Sequence, residues 1–579
     1  MKKVNSLLKN ISNKNILLII SALYIVWLFK SYDGNQHSNS LNLFKFILGS
    51  NSYINDIGIQ NSLFFKSSIL FKIVEIFKIN LDNDIVGFLI HIILSTISGF
   101  FLFLILKKFL KLTNINFIFI FLFLSMVVSD ILVLGTGGKS GWVSQTNFSL
   151  TYFGQNLRFI FIYFLLAENF IGLILITPIL LLISVKSTIM TVVCGIFYSI
   201  FFYKNKKKLL WLITPALIFF YFLAISNFQL TFNEKVFAID TMLKWDREEV
   251  AFHLQPISHL LALVVSFIIF SFLLIYSQKN KFRNFALIVF IISLCNFIFS
   301  YIYLKFLYSY LPLPEIVMFG PPRLMELYQI VFWIFFAYFF YKLKISNLKK
   351  ILIFAAIFYL FLGTKGLTVS LIILSAFLFL HLARNKININ NNSAILVFLI
   401  LIAPSIFYLG YQRYNNNFNH YSFAAINKWT LGYNKIGKER IDLALNLQKC
   451  EDFIFIPTIM LKNLNLGTDF FTLSIAGKSG FTGHPVLNNL NIKYLKEVEN
   501  RKSLLDELYL NLNQKKIISK KILENLREYN VVILIDKRFE DQFPSYIKLY
   551  KVSETERLFS IMENKKEFKF EKNCIKKIF

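Results

Sequence analysis

Cysteine and acidic residues are both scarce in this chain. Its four cysteines among 579 residues are Cys194, Cys295, Cys450 and Cys574, and none has metal-ligand spacing. That excludes small modules built around paired thiolates. Cys194 and Cys295 lie in apolar blocks. Cys450 and Cys574 share the C-terminal region and can pair if it faces an oxidising compartment, although free thiols are the expected state. Lys and Arg number 62 against 33 Asp and Glu, a net charge of +29. Such an excess would suit nucleic acid. Here the cations gather in short breaks between apolar blocks, which is the positive-inside pattern of membrane proteins, so nucleic-acid binding is set aside. No internal repeat and no disordered linker is evident. The Gly-rich stretch KSGFTGHPVLNN (Lys478–Asn489) lacks P-loop spacing and reads as a loop. No small-x-small cleavage site follows the first apolar run, which leads into Lys30-Ser31-Tyr32-Asp33 and reads as an uncleaved span.

Apolar residues are abundant, at 56% of the chain with a mean hydropathy of +0.57. They gather in blocks of about 15–25 residues, near the length a helix needs to cross a bilayer. Backbone groups in lipid must pair within the segment, so these blocks are expected to be helices. The reading is a mainly α, polytopic membrane helix bundle of about 11–13 spans over residues 1–410. A C-terminal extracytoplasmic α/β domain follows over 411–579. Expected spans fall near 16–29, 85–106, 116–134, 209–225, 257–276, 285–304, 324–341, 351–362, 367–382 and 393–409. Between Arg158 and Tyr203, breaks at Glu168-Asn169 and Lys186-Ser187 predict three short helices, with one long tilted crossing as the alternative. Residues 30–84 form an outer loop with surface helices near 41–48 and 63–79, and 226–256 form a second outer loop. In the C-terminal region DFIFIPTI, FFTLSI and NVVILID read as strands. RKSLLDELYLNL and SKKILENLREY read as helices.

Three polar sets fall on the expected outer side. The first, Ser31–Ser62, holds Asp33, Gln36, His37 and Asp56. The second is WDREEVAFHLQP, with Arg247 and His253. The third is EIVMFGPPRLMEL, with Arg323. This combination suits transfer from a phosphate-activated lipid. Asp33 or Asp56 would take a proton from an acceptor hydroxyl. Arg247 and Arg323 would hold the departing phosphate, and His253 would donate to a phosphate oxygen. Asp130, near the outer end of its span, would point into the same site. Each residue also has a structural reading: Asp56 as a helix cap, Arg247 as a local ion-pair partner, Arg323 as a headgroup anchor.

With these residues in place, the chain resembles the GT-C class of membrane glycosyltransferases. That class includes oligosaccharyltransferase catalytic subunits, protein mannosyltransferases and aminoarabinose transferases; the closer likeness is to its bacterial branch. YDGNQ (Tyr32–Gln36) and YIND (Tyr53–Asp56) resemble the branch's G-x-D/N-Q and Y-x-N-D stretches. REEVAFHLQP and GPPRLMEL resemble its R…H-H-x-x-P and Q-P-x-R-x-x-E-L elements. Phe252 stands where a second His is usual, and Asn35 where an Asp often stands. The resemblance implies catalysis by Asp33 or Asp56, with Gln36, Asp130, Arg247, His253 and Arg323 binding substrate. It implies an inverting transfer from a polyprenyl-phosphate-linked sugar donor to a glycan, lipid or protein acceptor at the outer face of a bacterial inner membrane. Some members use a divalent metal, Mg or Mn, and others use none. The rival readings are an envelope polysaccharide polymerase or ligase, and a transporter or flippase of lipid-linked sugars.

Overall fold

The computed structural model describes residues 84–112, 150–204 except 184, 230–245, 251–342 except 256, 346–360, 364–382, 442–450 except 444, 453–456, 478–481 and 492–576 except 555, with isolated positions at 76, 396, 397, 400 and 401. Its helical body begins with α1 (Asp84–Phe109), α2 (Leu150–Ala167), α3 (Phe170–Ile183), α4 (Val185–Phe202) and α5 (Phe232–Trp245). A 3-10 turn at Phe252–Leu254 leads into α6 (Ile257–Tyr276) and α7 (Lys281–Ile302), and α7 continues as a π-helical turn over Tyr303–Leu307. Next come α8 (Pro314–Phe319), the one-turn α9 (Pro321–Leu324), α10 (Glu326–Lys342), α11 (Asn347–Leu360) and α12 (Thr364–Leu382).

Breaks in the body have local causes. Glu168 adopts a left-handed backbone (φ 57°) between α2 and α3, a conformation that side chains with a Cβ seldom take. Lys281 Nζ holds the Glu168 carboxylate at 2.6 Å, tying this break to the start of α7. Helix α5 opens on a reciprocal cap. Thr231 N–H donates to Glu234 Oε2 at 3.0 Å, and Glu234 N–H donates to Thr231 Oγ1 at 3.4 Å. Residues 226–256 are therefore not simply an outer loop, because T-x-x-E starts a helix within them. Close helix approach depends on two glycines. A Cβ at Gly195 would meet Phe161 Cζ at 2.6 Å, and one at Gly172 would meet Phe164 Cδ2 at 2.5 Å.

The expectation of an 11–13-span bundle is corrected. Among the described residues only Lys281–Leu307 is long and apolar enough to cross a bilayer; the other apolar helical stretches run 10–17 residues. Hydropathy counts Phe, Ile and Leu without regard to what they face. In this body much of that apolar content is spent on helix-to-helix packing. Phe161, Leu165, Phe270, Phe285, Tyr328 and Phe335 are buried in one shared core.

The C-terminal region is a small mixed α/β unit. Strands β1 (Ile454–Ile456), β2 (Ser479–Gly480), β3 (Val531–Asp536), β4 (Tyr550–Lys551) and β5 (Glu556–Ile561) form one sheet in the order β2-β1-β3-β5-β4. Strands β2 and β3 run parallel to β1, whereas β5 is antiparallel to β3 and β4. Helices α13 (Ile492–Asn513) and α14 (Lys520–Arg527) lie between β2 and β3 in the chain, and α15 (Asn564–Phe570) follows β5. The first five residues of β3 are all buried, as expected of a strand covered on both faces. Strands near Ile454 and Val531 and helices near Leu504 and Leu523 agree with the sequence reading. The β4–β5 hairpin and the strand at Ser479, within the segment read as a loop, were not anticipated. The FFTLSI segment and the boundary at 410 lie outside the described residues.

Cys450 and Cys574 are bonded, with their Cα atoms 5.4 Å apart, which corrects the expectation of free thiols. Phe453 and Phe570 pack edge-on at 5.2 Å beside the bond. Lys478 Nζ donates to the Cys450 carbonyl at 2.8 Å. Helix α13 docks the unit onto the body. Ile492, Leu495 and Val498 share a core with Ile239 and Met242 of α5, Ala251, Tyr303 and Val317. Lys244 pairs with Glu499 at its edge.

Candidate functional site

Part of the second sequence-predicted set, Ala251–Gln255, and the third, Glu315–Leu327, fall among the described residues, and both pack on the same end of α7. Ala251 is extended and buried, and the chain then tightens into the Phe252–Leu254 turn. Gln255 leaves that turn with ψ 156°, the conformation expected before Pro256. Phe252, at 1% exposure, packs edge-on against Phe297 of α7 at 5.0 Å. His253 stands over Tyr301, one turn further along α7, with ring centroids 6.4 Å apart. Its Nδ1 is buried with no hydrogen-bond partner among the described residues. Burial first, and then the Lys305 ammonium, lower the pKa of His253 below the ordinary imidazole value. The neutral imidazole is therefore the resting form at neutral pH.

The second element is fixed to α7 at Asn296, next to Phe297. Gly320 closes α8 in a left-handed conformation (φ 62°), where glycine carries no Cβ penalty. Pro321 and Pro322 then open α9, a position where a missing N–H costs nothing. Asn296 Nδ2 donates to the Pro321 carbonyl at 3.0 Å, fixing this turn to α7. Arg323 sits on the turn; its side chain lies outside the described residues.

Glu326, three residues on, is buried in the body. Its Oε2 accepts from Gln155 Nε2 at 2.7 Å and lies 3.5 Å from Arg158 Nη2. Arg158 is fully buried, and its Nε donates to the Gln155 carbonyl at 2.8 Å. Arg158 Nη1 and Gln155 Oε1 have no hydrogen-bond partner among the described residues. The sequence reading treated Arg158 only as the edge of an apolar run. The available signal was an ionisable residue three positions after Gln155, on the same helical face, at the start of such a run.

The same end of α7 touches the C-terminal unit. Ala251, Tyr303, Leu304 and Val317 share one buried cluster with α13. The Tyr303 hydroxyl donates to the Leu311 carbonyl at 2.7 Å and accepts from Leu313 N–H at 2.5 Å. The Tyr308 hydroxyl donates to Asp240 of α5 at 2.9 Å. His253 and the Arg323 turn thus lie at a seam between helical body and α/β unit, a common setting for ligand sites. Asp33, Gln36, Asp56, Asp130 and Arg247 lie outside the described residues. Among the described residues no group of three His, Cys, Asp or Glu side chains is placed to hold a metal ion. No protein-family model, curated protein or solved structure matches this chain.

Proposed function

We propose that this chain is a membrane-bound glycosyltransferase that moves a sugar from a polyprenyl-phosphate donor to an acceptor at the outer membrane face. The observation that carries the reading is the meeting of the HLQP turn and the PPR turn on one end of α7, beside the α/β unit. Each turn brings one group suited to a phosphodiester. Neutral His253 donates a hydrogen bond to a phosphate oxygen. Arg323 offers a fixed pair of donors and a permanent charge to the leaving phosphate. Asp33 or Asp56 takes the acceptor's proton as the new glycosidic bond forms and the bond to phosphate breaks. Gln36, Asp130 and Arg247 complete substrate binding. Inversion follows from a single displacement, in which the acceptor oxygen attacks opposite the departing phosphate.

The test uses purified protein with a polyprenyl-phosphate hexose and follows release of the polyprenyl phosphate. Arg323→Gln should slow release by about 10²–10³-fold, the usual effect of losing one donor to developing charge. Joint replacement of Asp33 and Asp56 by Asn should abolish it. Undiminished turnover in both variants would rule the reading out.

A further inference from the structure

We infer that the antiparallel α6–α7 hairpin seats one face in the hydrocarbon of a lipid bilayer, with the His253 end at the exterior surface and the Lys281 end at the cytoplasmic surface. The inference deepens the proposed function by fixing the depth of its site. It concerns one face of one hairpin.

The first observation is an exposed apolar stripe on each helix of the hairpin. On α6, Ile257, Leu261, Val265, Ile268, Phe272 and Ile275 are each half exposed or more. They recur every three or four residues and so share one side of the helix. On α7, Ile291, Cys295, Ile298, Ile302 and the following Phe306 repeat the pattern. Exposed apolar surface on this scale marks an interaction face.

The second observation identifies the occupant. Cations bracket the stripe at both ends, with Lys279, Lys281 and Arg283 at one and Lys305 at the other. From Arg283 to Lys305 a helix rises about 33 Å at 1.5 Å per residue, close to the ~30 Å of a hydrocarbon core. A protein partner would not require that match. Tyr310, 81% exposed, and Leu311, 60% exposed, extend beyond Lys305. An aromatic and a cation at that level suit a headgroup boundary.

Two independent features give the same orientation. The denser cations lie at the Lys279–Arg283 end, the arrangement of a cytoplasmic boundary. The opposite end carries the α/β unit with its Cys450–Cys574 bond. Such bonds persist in oxidising compartments.

The native thiols supply the probe. Cys194 is buried, Cys450 and Cys574 are bonded, and Cys295 is exposed near the middle of α7. The full-length protein, labelled at Cys295 with a bimane maleimide, is placed in phosphatidylcholine–phosphatidylglycerol vesicles whose lipids carry bromine either near the acyl-chain end or near the headgroup. Deep bromine should remove more fluorescence than shallow bromine at Cys295. The order should reverse for a label on Ile257→Cys in a Cys295→Ser background. Absence of lipid quenching, or quenching only by shallow bromine at Cys295, would overturn the seating. So would a label shielded only at high protein concentration, which would mean a second copy covers the face. For orientation, an impermeant maleimide added outside intact cells whose outer surface is accessible should label Lys516→Cys and spare Lys279→Cys, both in the Cys295→Ser background; the reverse overturns it. None of these readouts uses catalysis. Loss of glycosyl transfer with quenching intact would therefore sink the proposed function and leave this inference standing.

Discussion

Removing either member of the Arg158–Glu326 pair should destabilise the body far more than removing both. Arg158 is fully buried, Glu326 is 4% exposed, and their closest atoms are 3.5 Å apart. In Arg158→Met the Glu326 carboxylate keeps Gln155 as a donor but loses its countercharge. In Glu326→Gln the guanidinium is left charged within an apolar body. Breaking a buried pair from one side costs about 3–5 kcal/mol, chiefly because the survivor is an uncompensated charge. The double variant has no buried charge and should lose about 1–2 kcal/mol, within the range of one forfeited hydrogen bond with imperfect packing. The coupling energy, taken from denaturant unfolding of the four proteins in one detergent and followed by near-ultraviolet circular dichroism, should be about 4 kcal/mol or more, the shortfall of the double loss against the sum of the two single losses. Additive effects would refute the reasoning, since they would mean the two groups do not compensate each other. A further expectation concerns the turn before Glu326. Once its anchor is cut, Leu324–Met325 should become more accessible to limited proteolysis in both single variants.

Three other predictions concern separate parts of the molecule. Gly195→Ala should cost about 1–3 kcal/mol, typical of overpacking, because Phe161 at 0% exposure has no room to turn; Gly172→Ala should cost less, since Phe164 is only partly buried, and paired unfolding curves would decide. Cys450→Ser opens a loop closed across 124 positions and should destabilise the α/β unit by about 4–5 kcal/mol in the chain-entropy view; resistance of β3 amides to hydrogen exchange should fall accordingly, and unchanged protection would count against it. Burial raises the Asp506 carboxyl pKa above its ordinary value, against the pull of Lys244 and Lys502. Its contribution to stability is therefore complete below the unfolded value and is lost as pH rises through the raised folded value. Asp506→Asn should flatten that limb of the stability profile.

The helices were legible wherever an apolar run ended in a chemical signal. Tyr276, followed by Lys279 and Asn280, closes α6 where expected, and the Glu168 break divides α2 from α3. Helix α5 was missed because its apolar residues, Ala238, Ile239 and Met242, are few and its start is a Thr231–Glu234 cap rather than a hydropathy rise. The bundle was over-read for the opposite reason. A window average cannot tell Phe270, which is wholly buried, from Phe272, which is 56% exposed. In the α/β unit, β1 and β3 announce themselves as runs of Ile, Val and Phe. Strand β5, ERLFSI, opens on two charged residues, shows no alternation and is held by pairing to β3, a contact no local pattern encodes. The Cys450–Cys574 pairing was open to the sequence but not expected from it, because the two thiols stand 124 positions apart and only the folded unit brings them together.

Phe252, standing where a second histidine was expected, narrows what this site can do. The position is 1% exposed and faces the ring of Phe297, so an imidazole there would be buried against an aromatic face. An apolar ring fills the space without leaving a polar atom unpaired. The turn therefore presents a single imidazole, His253, and both its burial and Lys305 hold that imidazole neutral. It can offer one N–H to an anion but no permanent positive charge. If a phosphate is released at this seam, its developing charge has to be met by a group that cannot deprotonate, and an arginine is such a group. Under the proposed function, His253 then orients the phosphate, and its charge is assigned to Arg323, on the turn that Asn296 pins to α7.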